Sequence, residues 1–154
     1  MSHEDPNTRN LFKPWDSYWQ DTYGIAYCAN QPLNLVRVGG KRDNLQNTGA
    51  TSPDGGITWK EFRNFPTDQI PLRVAVSADD SGQFVVIRSE AQPLYTSDHG
   101  NSWQQVTGLP DGIPGPWNWV QPLAADGKNG HKFYYYAGGT LYLSNDGGKT
   151  LRGE

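Results

Sequence analysis

The stretch Ser52-Pro53-Asp54-Gly55-Gly56-Ile57-Thr58-Trp59 (SPDGGITW) occurs in three versions along this 154-residue chain. The second version is TSDHGNSW at residues 96–103, and the third is SNDGGKTL at residues 144–151. All three share one frame: hydroxyl, any residue, Asp, any residue, Gly, any residue, hydroxyl, large apolar residue. Their aspartates are spaced 44 and 48 residues apart, which is typical of four-stranded propeller blades.

The frame has a mechanical explanation. We expect its Asp carboxylate to accept backbone N–H groups two or three residues ahead, while Gly55 or Gly56 supplies the positive φ of a tight hairpin. The closing Trp59 or Trp103 would fold back over the turn. This pattern is called an Asp box. A calcium or sugar site is the functional alternative, but three copies at blade spacing favour a structural role. The residues assigned to the boxes are Ser52, Asp54, Gly56, Trp59, Thr96, Asp98, Gly100, Trp103, Ser144, Asp146 and Gly148.

Short β-rich runs lie between the boxes and predict strands rather than helices. The sequence therefore predicts an all-β fold, a partial β-propeller of about three four-stranded blades with Asp-box hairpins. The predicted strands are 24–28, 33–38, 58–62, 72–76, 84–88, 102–106, 117–120, 132–136 and 140–143. The predicted organisation is an irregular segment at 1–22, blades at 23–66 and 67–110, and a truncated blade at 111–154. Closed rings typically contain 4 to 8 blades, so we expect a longer chain, self-association or a partner to complete this one.

Composition excludes several classes of function. The net charge of −3, with scattered Lys and Arg, offers no basic face for nucleic acid. Cys28 is the single cysteine and lies in an apolar run, so we expect a buried, inert thiol. His3, His99 and His131 are far apart, and we predict neither a metal site nor a cofactor. No window approaches the roughly 20 apolar residues of a membrane span, and residues 1–5 do not begin a signal peptide, so localisation stays open.

Four runs in a fixed order carry a resemblance to a known family. They are GIAYCANQPLNLVRVGG at 24–40, RVAVSADDSGQFVVI at 73–87, PLYTSDHGNSWQQVTGLPDG at 93–112 and HKFYYYAGGTLYLSNDGGKT at 131–150. In this order the chain, over roughly residues 23–151, resembles the closing blades of the second propeller in xyloglucanases of glycoside hydrolase family seventy-four.

This resemblance implies hydrolysis of β-1,4-glucans such as xyloglucan, in a cleft between two propellers that each supply one catalytic aspartate. The family's His-Asp-Asp segment corresponds to His3-Glu4-Asp5, with Glu4 in place of the first Asp. The resemblance thus implies Glu4 or Asp5 as the catalytic candidate, and a solvated terminus is the alternative. Hydrolysis needs two facing carboxyls, and Asp16 and Asp21 share one segment. We therefore expect scaffold and cleft wall, without catalysis by the chain alone.

Two aromatic loops are the candidate sugar-binding surfaces, because aromatic rings offer flat apolar faces to sugar C–H groups. One contains Trp15, Tyr18, Trp19 and Tyr23, and the other contains Trp117 and Trp119. Packing between blades is the alternative for these rings. If they bind glucan, the chain is a non-catalytic glycan-binding module. A self-assembling protein-interaction propeller is a third hypothesis.

Overall fold

The computed structural model describes residues 21–41, 46–109 and 123–153. These residues form three antiparallel sheets of four strands each, and within each sheet the strands pair in chain order. Sheet 1 contains β1 (Asp21–Cys28), β2 (Gln31–Lys41), β3 (Gln46–Ser52) and β4 (Lys60–Glu61). Sheet 2 contains β5 (Pro71–Val76), β6 (Phe84–Arg88), β7 (Ala91–Thr96) and β8 (Gln104–Gln105). Sheet 3 contains β9 (Leu123–Ala125), β10 (Phe133–Ala137), β11 (Thr140–Ser144) and β12 (Arg152–Gly153).

The fold is therefore all-β, a partial β-propeller of three four-stranded sheets, and the predicted fold class is confirmed. The first strands of the sheets lie side by side, β1 against β5 and β5 against β9. No helix with the length and apolarity needed to cross a bilayer occurs in the part of the chain that the structure describes.

Two apolar cores hold the sheets together. Core 1 lies between sheets 1 and 2, and core 2 lies between sheets 2 and 3. β6 is buried along its whole length because its alternating side chains feed both cores. Core 1 contains Cys28, Val36, Val38, Phe62, Phe65, Val74, Val76, Phe84, Val86 and Leu94. Core 2 contains Ala75, Val85, Ile87, Tyr95, Val106, Phe133, Tyr135, Ala137, Tyr142 and Leu151.

Two sequence predictions about the cores can be compared with this packing. The buried thiol of Cys28 is confirmed, and its Sγ donates to the carbonyl of Ala78 at 3.2 Å. Phe133 and Tyr135 share a fully buried face of β10, as the strand alternation predicts. The opposite face differs from the expectation of a strand packed between two neighbours, because Tyr136 is exposed.

The sequence missed β3, β7 and β12 and misplaced the edges of the outer strands β4 and β8. β3 lacks the apolar run by which the other strands were recognised. Its Gly49 leaves room for the ring of Phe62, because a Cβ at this position would lie 2.1 Å from that ring. β4 and β8 each pair over two residues only, because the residues before them belong to the preceding turn. The strand predicted at 117–120 lies outside the described residues, whereas β9 begins at Leu123. Sheet 3 has four strands, as many as the other two sheets.

Candidate functional site

The three repeats form three turns with the same hydrogen-bond network, which we name turn A (residues 52–59), turn B (96–103) and turn C (144–151). In turn B, Thr96 Oγ1 donates to Asp98 Oδ1 at 2.8 Å and accepts from the N–H of Gly100 at 3.1 Å. Ser102 donates its backbone N–H to Asp98 Oδ1 at 2.9 Å and its hydroxyl to Oδ2 at 2.5 Å. The carboxylate thus closes the turn onto the hydroxyl residue at its far end.

Turns A and C repeat these bonds at nearly the same lengths. The backbone N–H of Thr58 donates to Asp54 Oδ1 at 2.8 Å, and that of Thr150 donates to Asp146 Oδ1 at 2.9 Å. The main acceptor bond thus reaches four residues ahead, one or two further than the sequence predicted. The reason is that two consecutive residues take positive φ and lengthen the turn, as Gly55 does at 73°.

These hydrogen bonds keep the turn carboxyls ionised. The bonds from the Ser102 hydroxyl and N–H, together with that from Thr96, lower the pKa of Asp98 to about 2. Bonds from the hydroxyl and N–H of Thr58 lower the pKa of Asp54 in the same way. Burial raises the pKa of Asp146, but the donors around it outweigh burial and leave this pKa below its usual value. A carboxyl with a lowered pKa is a poor general acid near neutral pH.

Each turn is also tied to the hairpin that the first two strands of its own sheet form. The N–H of Gly55 donates to Leu33 O at 2.8 Å, that of His99 donates to Gly82 O at 3.0 Å, and that of Gly147 donates to His131 O at 2.9 Å. Every turn is therefore fixed at the same end of its sheet.

A cleft of about 300 Å³ is lined by residues of turns A and B. The turn residues are Ser52, Pro53, His99 and Asn101, and its flanks are Asn34, Leu35, Thr51, Lys60 and Ser81. This lining contains no carboxyl, so the cleft does not supply the acid pair that glycoside hydrolysis requires. Among the described residues no group of three or more His, Cys, Asp or Glu side chains could hold a metal ion.

The structure brings together one acidic site that sequence reasoning missed. Asp79, just after β5, accepts from Asn30 Nδ2 at 2.5 Å and from the N–H of Gly130 at 2.9 Å. Ser77 Oγ donates to Gly130 O at 2.9 Å. Because Asn30 belongs to sheet 1 and Gly130 to sheet 3, this carboxylate links all three sheets. Its partners are about 50 residues away in the chain, and no local pattern identifies them.

Tyr23, predicted to lie in the first aromatic loop, belongs to strand β1 instead, because residues 21–28 pair with β2. The other predicted sugar-binding residues and the catalytic candidates lie outside the described ranges. They are Glu4, Asp5, Trp15, Tyr18, Trp19, Trp117 and Trp119. Their roles stay predictions. The described tryptophans lie in turns, where Trp59 Nε1 donates to Gly56 O at 3.0 Å and Trp103 Nε1 donates to Gly100 O at 3.1 Å.

Three packed sheets with repeated acidic turns place the chain among β-propeller proteins. No protein-family model matches the chain. The chain is 33% identical over 100 residues to the xyloglucanase Xgh74A of Acetivibrio thermocellus, an alignment that covers 65% of this chain and 11% of that protein. It is 29% identical over 138 residues to a xyloglucanase of a Paenibacillus species, covering 86% of this chain and 12% of that protein.

Solved structures give the same result. The GH74 xyloglucanase from Xanthomonas campestris matches with a TM-score of 0.70 and 29% identity, over 84% of this chain and 18% of that one. YCF48 from Cyanidioschyzon merolae matches with a TM-score of 0.58 and 18% identity, over 86% of this chain and 36% of that one, which shows a shared fold. The chain is thus homologous to a propeller segment of the family seventy-four xyloglucanases, and it covers only 11% and 12% of the two curated relatives named above.

Proposed function

We propose that the chain forms scaffold and cleft wall of a β-1,4-glucan hydrolase that acts on xyloglucan, and that it does not catalyse hydrolysis alone. The observation that carries this proposal is the 33% identity to a xyloglucanase across 100 residues, together with the matching fold of a GH74 xyloglucanase. In this proposal the sheets correspond to blades at 23–66, 67–110 and 111–154. The acidic turns are Asp boxes that hold the blade corners.

The chemistry of the described carboxyls supports a structural role. Glycoside hydrolysis places a protonated acid and a second carboxyl about 5 to 9.5 Å apart across one bond. Asp54, Asp98 and Asp146 each bond to donors within their own turn, and all three have lowered pKa values. None of them is suited to deliver a proton. Glu4 and Asp5 remain the candidates for one half of a catalytic pair, whose other half would come from another propeller.

A reducing-sugar assay with purified chain and xyloglucan tests the proposal. We expect no turnover above a blank, because one carboxyl cannot serve as both acid and partner. Parallel assays with Glu4→Gln and Asp5→Asn locate the source of any signal. Turnover by the chain alone contradicts the proposal, whether or not these substitutions abolish it.

A glycan-binding module is the second candidate, favoured by the clustering of tryptophans in two segments that precede sheet 1 and sheet 3. Affinity electrophoresis in a xyloglucan gel tests it. Retardation that Trp19→Ala removes, and that the matched aromatic substitution Tyr136→Ala on the exposed face of sheet 3 leaves intact, would support binding by that loop. Equal mobility with and without xyloglucan would exclude the module.

A self-assembling propeller is the third candidate, and it is favoured by the exposed apolar side chains on the outer faces of sheets 1 and 3. Light scattering of the purified chain would give a discrete oligomer in that case and a monomer otherwise.

A further inference from the structure

The turn between β9 and β10 contains the only Asn-Gly pair of the sequence, Asn129-Gly130. We name residues 126–132 the Asn129 turn. The side chain of Asn129 is exposed, whereas Gly130 is buried. Asparagine is a thermolabile residue, and a following glycine increases its lability because glycine has no Cβ to keep its backbone nitrogen away from the asparagine side chain. The pair is therefore a candidate site of chemical modification.

Packing between sheets 2 and 3 requires the glycine of this pair. A Cβ at Gly130 would lie 2.6 Å from Ser77 Oγ and 2.7 Å from Asp79 Oδ2, so a larger residue does not fit there. The N–H of Gly130 donates to Asp79 Oδ2 at 2.9 Å, and the carbonyl of Gly130 accepts from Ser77 Oγ at 2.9 Å. The contact that joins the two sheets thus also places a glycine after Asn129.

The side chain of Asn129 is held as the electrophile of a deamidation reaction. Its Oδ1 accepts from the N–H of His131 at 3.0 Å, and its backbone carbonyl accepts from the N–H of Lys132 at 3.1 Å. A donor on a carbonyl oxygen stabilises the negative charge that develops there when a nucleophile adds to the carbonyl carbon. The N–H of His131 therefore favours attack on Asn129 Cγ by any nucleophile that can reach it.

The nucleophile of this reaction is the backbone nitrogen of Gly130, and Asp79 restrains it. The nitrogen must lose its proton in order to form a bond with Asn129 Cγ. The hydrogen bond to Asp79 Oδ2 stabilises the protonated nitrogen, and the carboxylate disfavours a second negative charge beside it. Asp79 is held from the other side as well, because its Oδ1 accepts from Asn30 Nδ2 at 2.5 Å. The carboxylate that joins the sheets thus opposes the reaction.

We propose that Asn129 is a site of spontaneous deamidation, and that the hydrogen bond from Gly130 to Asp79 slows the reaction while sheet 3 is packed on sheet 2. When this bond opens, the Gly130 nitrogen gives its proton to hydroxide and bonds to Asn129 Cγ. The Nδ2 group takes up a proton and leaves as ammonia, and a succinimide forms. Water then opens either carbonyl of the ring and produces aspartate or isoaspartate.

The modification weakens the junction that restrains it. In the succinimide the Gly130 nitrogen carries no proton, so its hydrogen bond to Asp79 cannot form. Isoaspartate inserts an additional CH₂ group into the main chain just before Gly130, which displaces the N–H and the carbonyl that bond to Asp79 and Ser77. Either product also adds one negative charge to a chain whose net charge is −3. This site is separate from the proposed hydrolase function.

Incubation of the purified full chain at constant, mildly alkaline pH tests the site. Peptide mass spectrometry detects the replacement of NH₂ by OH at Asn129, and an isoaspartate methyltransferase labels the rearranged product. We expect Asp79→Ala to form these products at least about tenfold faster than the parent, because a hydrogen bond to a charged group is lost. Asn129→Gln should abolish them in both backgrounds, since glutamine would have to form a less favourable six-membered ring.

Two further variants separate the hydrogen bond from general loosening of the fold. Asp79→Asn keeps the size of the side chain and removes its charge, so it should accelerate the reaction by an intermediate amount even if Asp79→Ala does not fold. Val36→Ala is the matched control, because Val36 is buried in core 1, between sheets 1 and 2. It should leave the rate close to that of the parent at a urea midpoint as low as that of Asp79→Asn.

Equal acceleration by Val36→Ala and Asp79→Asn would mean that only global unfolding exposes the Asn129 turn, and it overturns the proposal. An unchanged rate in both Asp79 variants overturns it too. A slower rate in these variants would identify Asp79 as a base that assists the reaction, which is the opposite of the proposed role.

Discussion

Replacing Phe62 by Ala should cost more stability than any other single truncation at the junction of sheets 1 and 2. The Phe62 ring is buried, and its centroid lies 5.4 Å from Phe65, 5.6 Å from Phe84 and 4.9 Å from Trp103. Phe to Ala in a core costs about 3 to 5 kcal/mol, and each aromatic pair contributes about 0.5 to 1.5 kcal/mol beyond buried area. With three such partners we expect a loss of about 4 kcal/mol in the free energy of unfolding.

Urea unfolding followed by circular dichroism measures this loss. For a urea m-value of about 2 kcal/mol per M, the midpoint should fall by about 2 M. Phe62→Leu is the control, because it retains most of the apolar volume and should cost about 1 kcal/mol. If Phe62→Ala loses less than about 1.5 kcal/mol at an unchanged m-value, the ring does not form the junction that we describe.

Two further predictions concern the turns and the close approach between sheets. Because the folded-state pKa of Asp98 is about 2, below its ordinary value of 3.8, its stabilising contribution is complete above about pH 4 and is lost as the pH falls through 2. The urea midpoint should therefore fall further between about pH 5 and about pH 2.5 in the parent than in the protein carrying Asp98→Asn, and an equal fall would contradict the assigned hydrogen bonds. Alanine substitutions at Gly127, Gly139 and Gly108 should lower the melting temperature by increasing amounts. A Cβ at Gly127 has no neighbour within 4 Å. Gly139 has equally open surroundings but a positive φ of 81°, and Gly108 combines a φ of 90° with Leu151 O 2.3 Å from the new Cβ. We expect about 0, about 1 and about 3 kcal/mol, and a different order would contradict the assigned backbone.

The turns could be predicted from sequence because their interactions are local. Within turn B, every donor to the Asp98 carboxylate lies at most four residues away. An eight-residue frame therefore contains nearly all the information that specifies the turn, and three copies made the frame visible.

The strands β3 and β7 could not be recognised in the same way. β3 reads QNTGATS, and its strand conformation depends on pairing with β2 along its whole length. Gly49 is present because the Phe62 ring needs the space, and that requirement comes from thirteen residues further along the chain. β7 contains Pro93, which argues against a strand when the partners are unknown.

The residues that follow β4 and β8 could not be predicted to contact the turns either. Arg63 and Thr107 bond to turns B and C, about 40 residues further along the chain. The hydrogen bonds of Asp79 could not be predicted from the sequence, because the donors Asn30 and Gly130 belong to the hairpins of two other sheets.

The reach of these bonds has a consequence for how the chain unfolds. The hydrogen bonds onto turns B and C span 37 to 43 residues, and those around Ala78 and Asp79 span about 50. Both kinds join one sheet to the next, so the molecule resembles a short one-dimensional lattice with nearest-neighbour coupling. Such a lattice frays from its ends, whereas loss of its middle unit breaks both couplings at once. The carboxylate of Asp79 lies in the middle unit and accepts one hydrogen bond from each neighbour, so it holds both end units to the middle one and opposes fraying at either end.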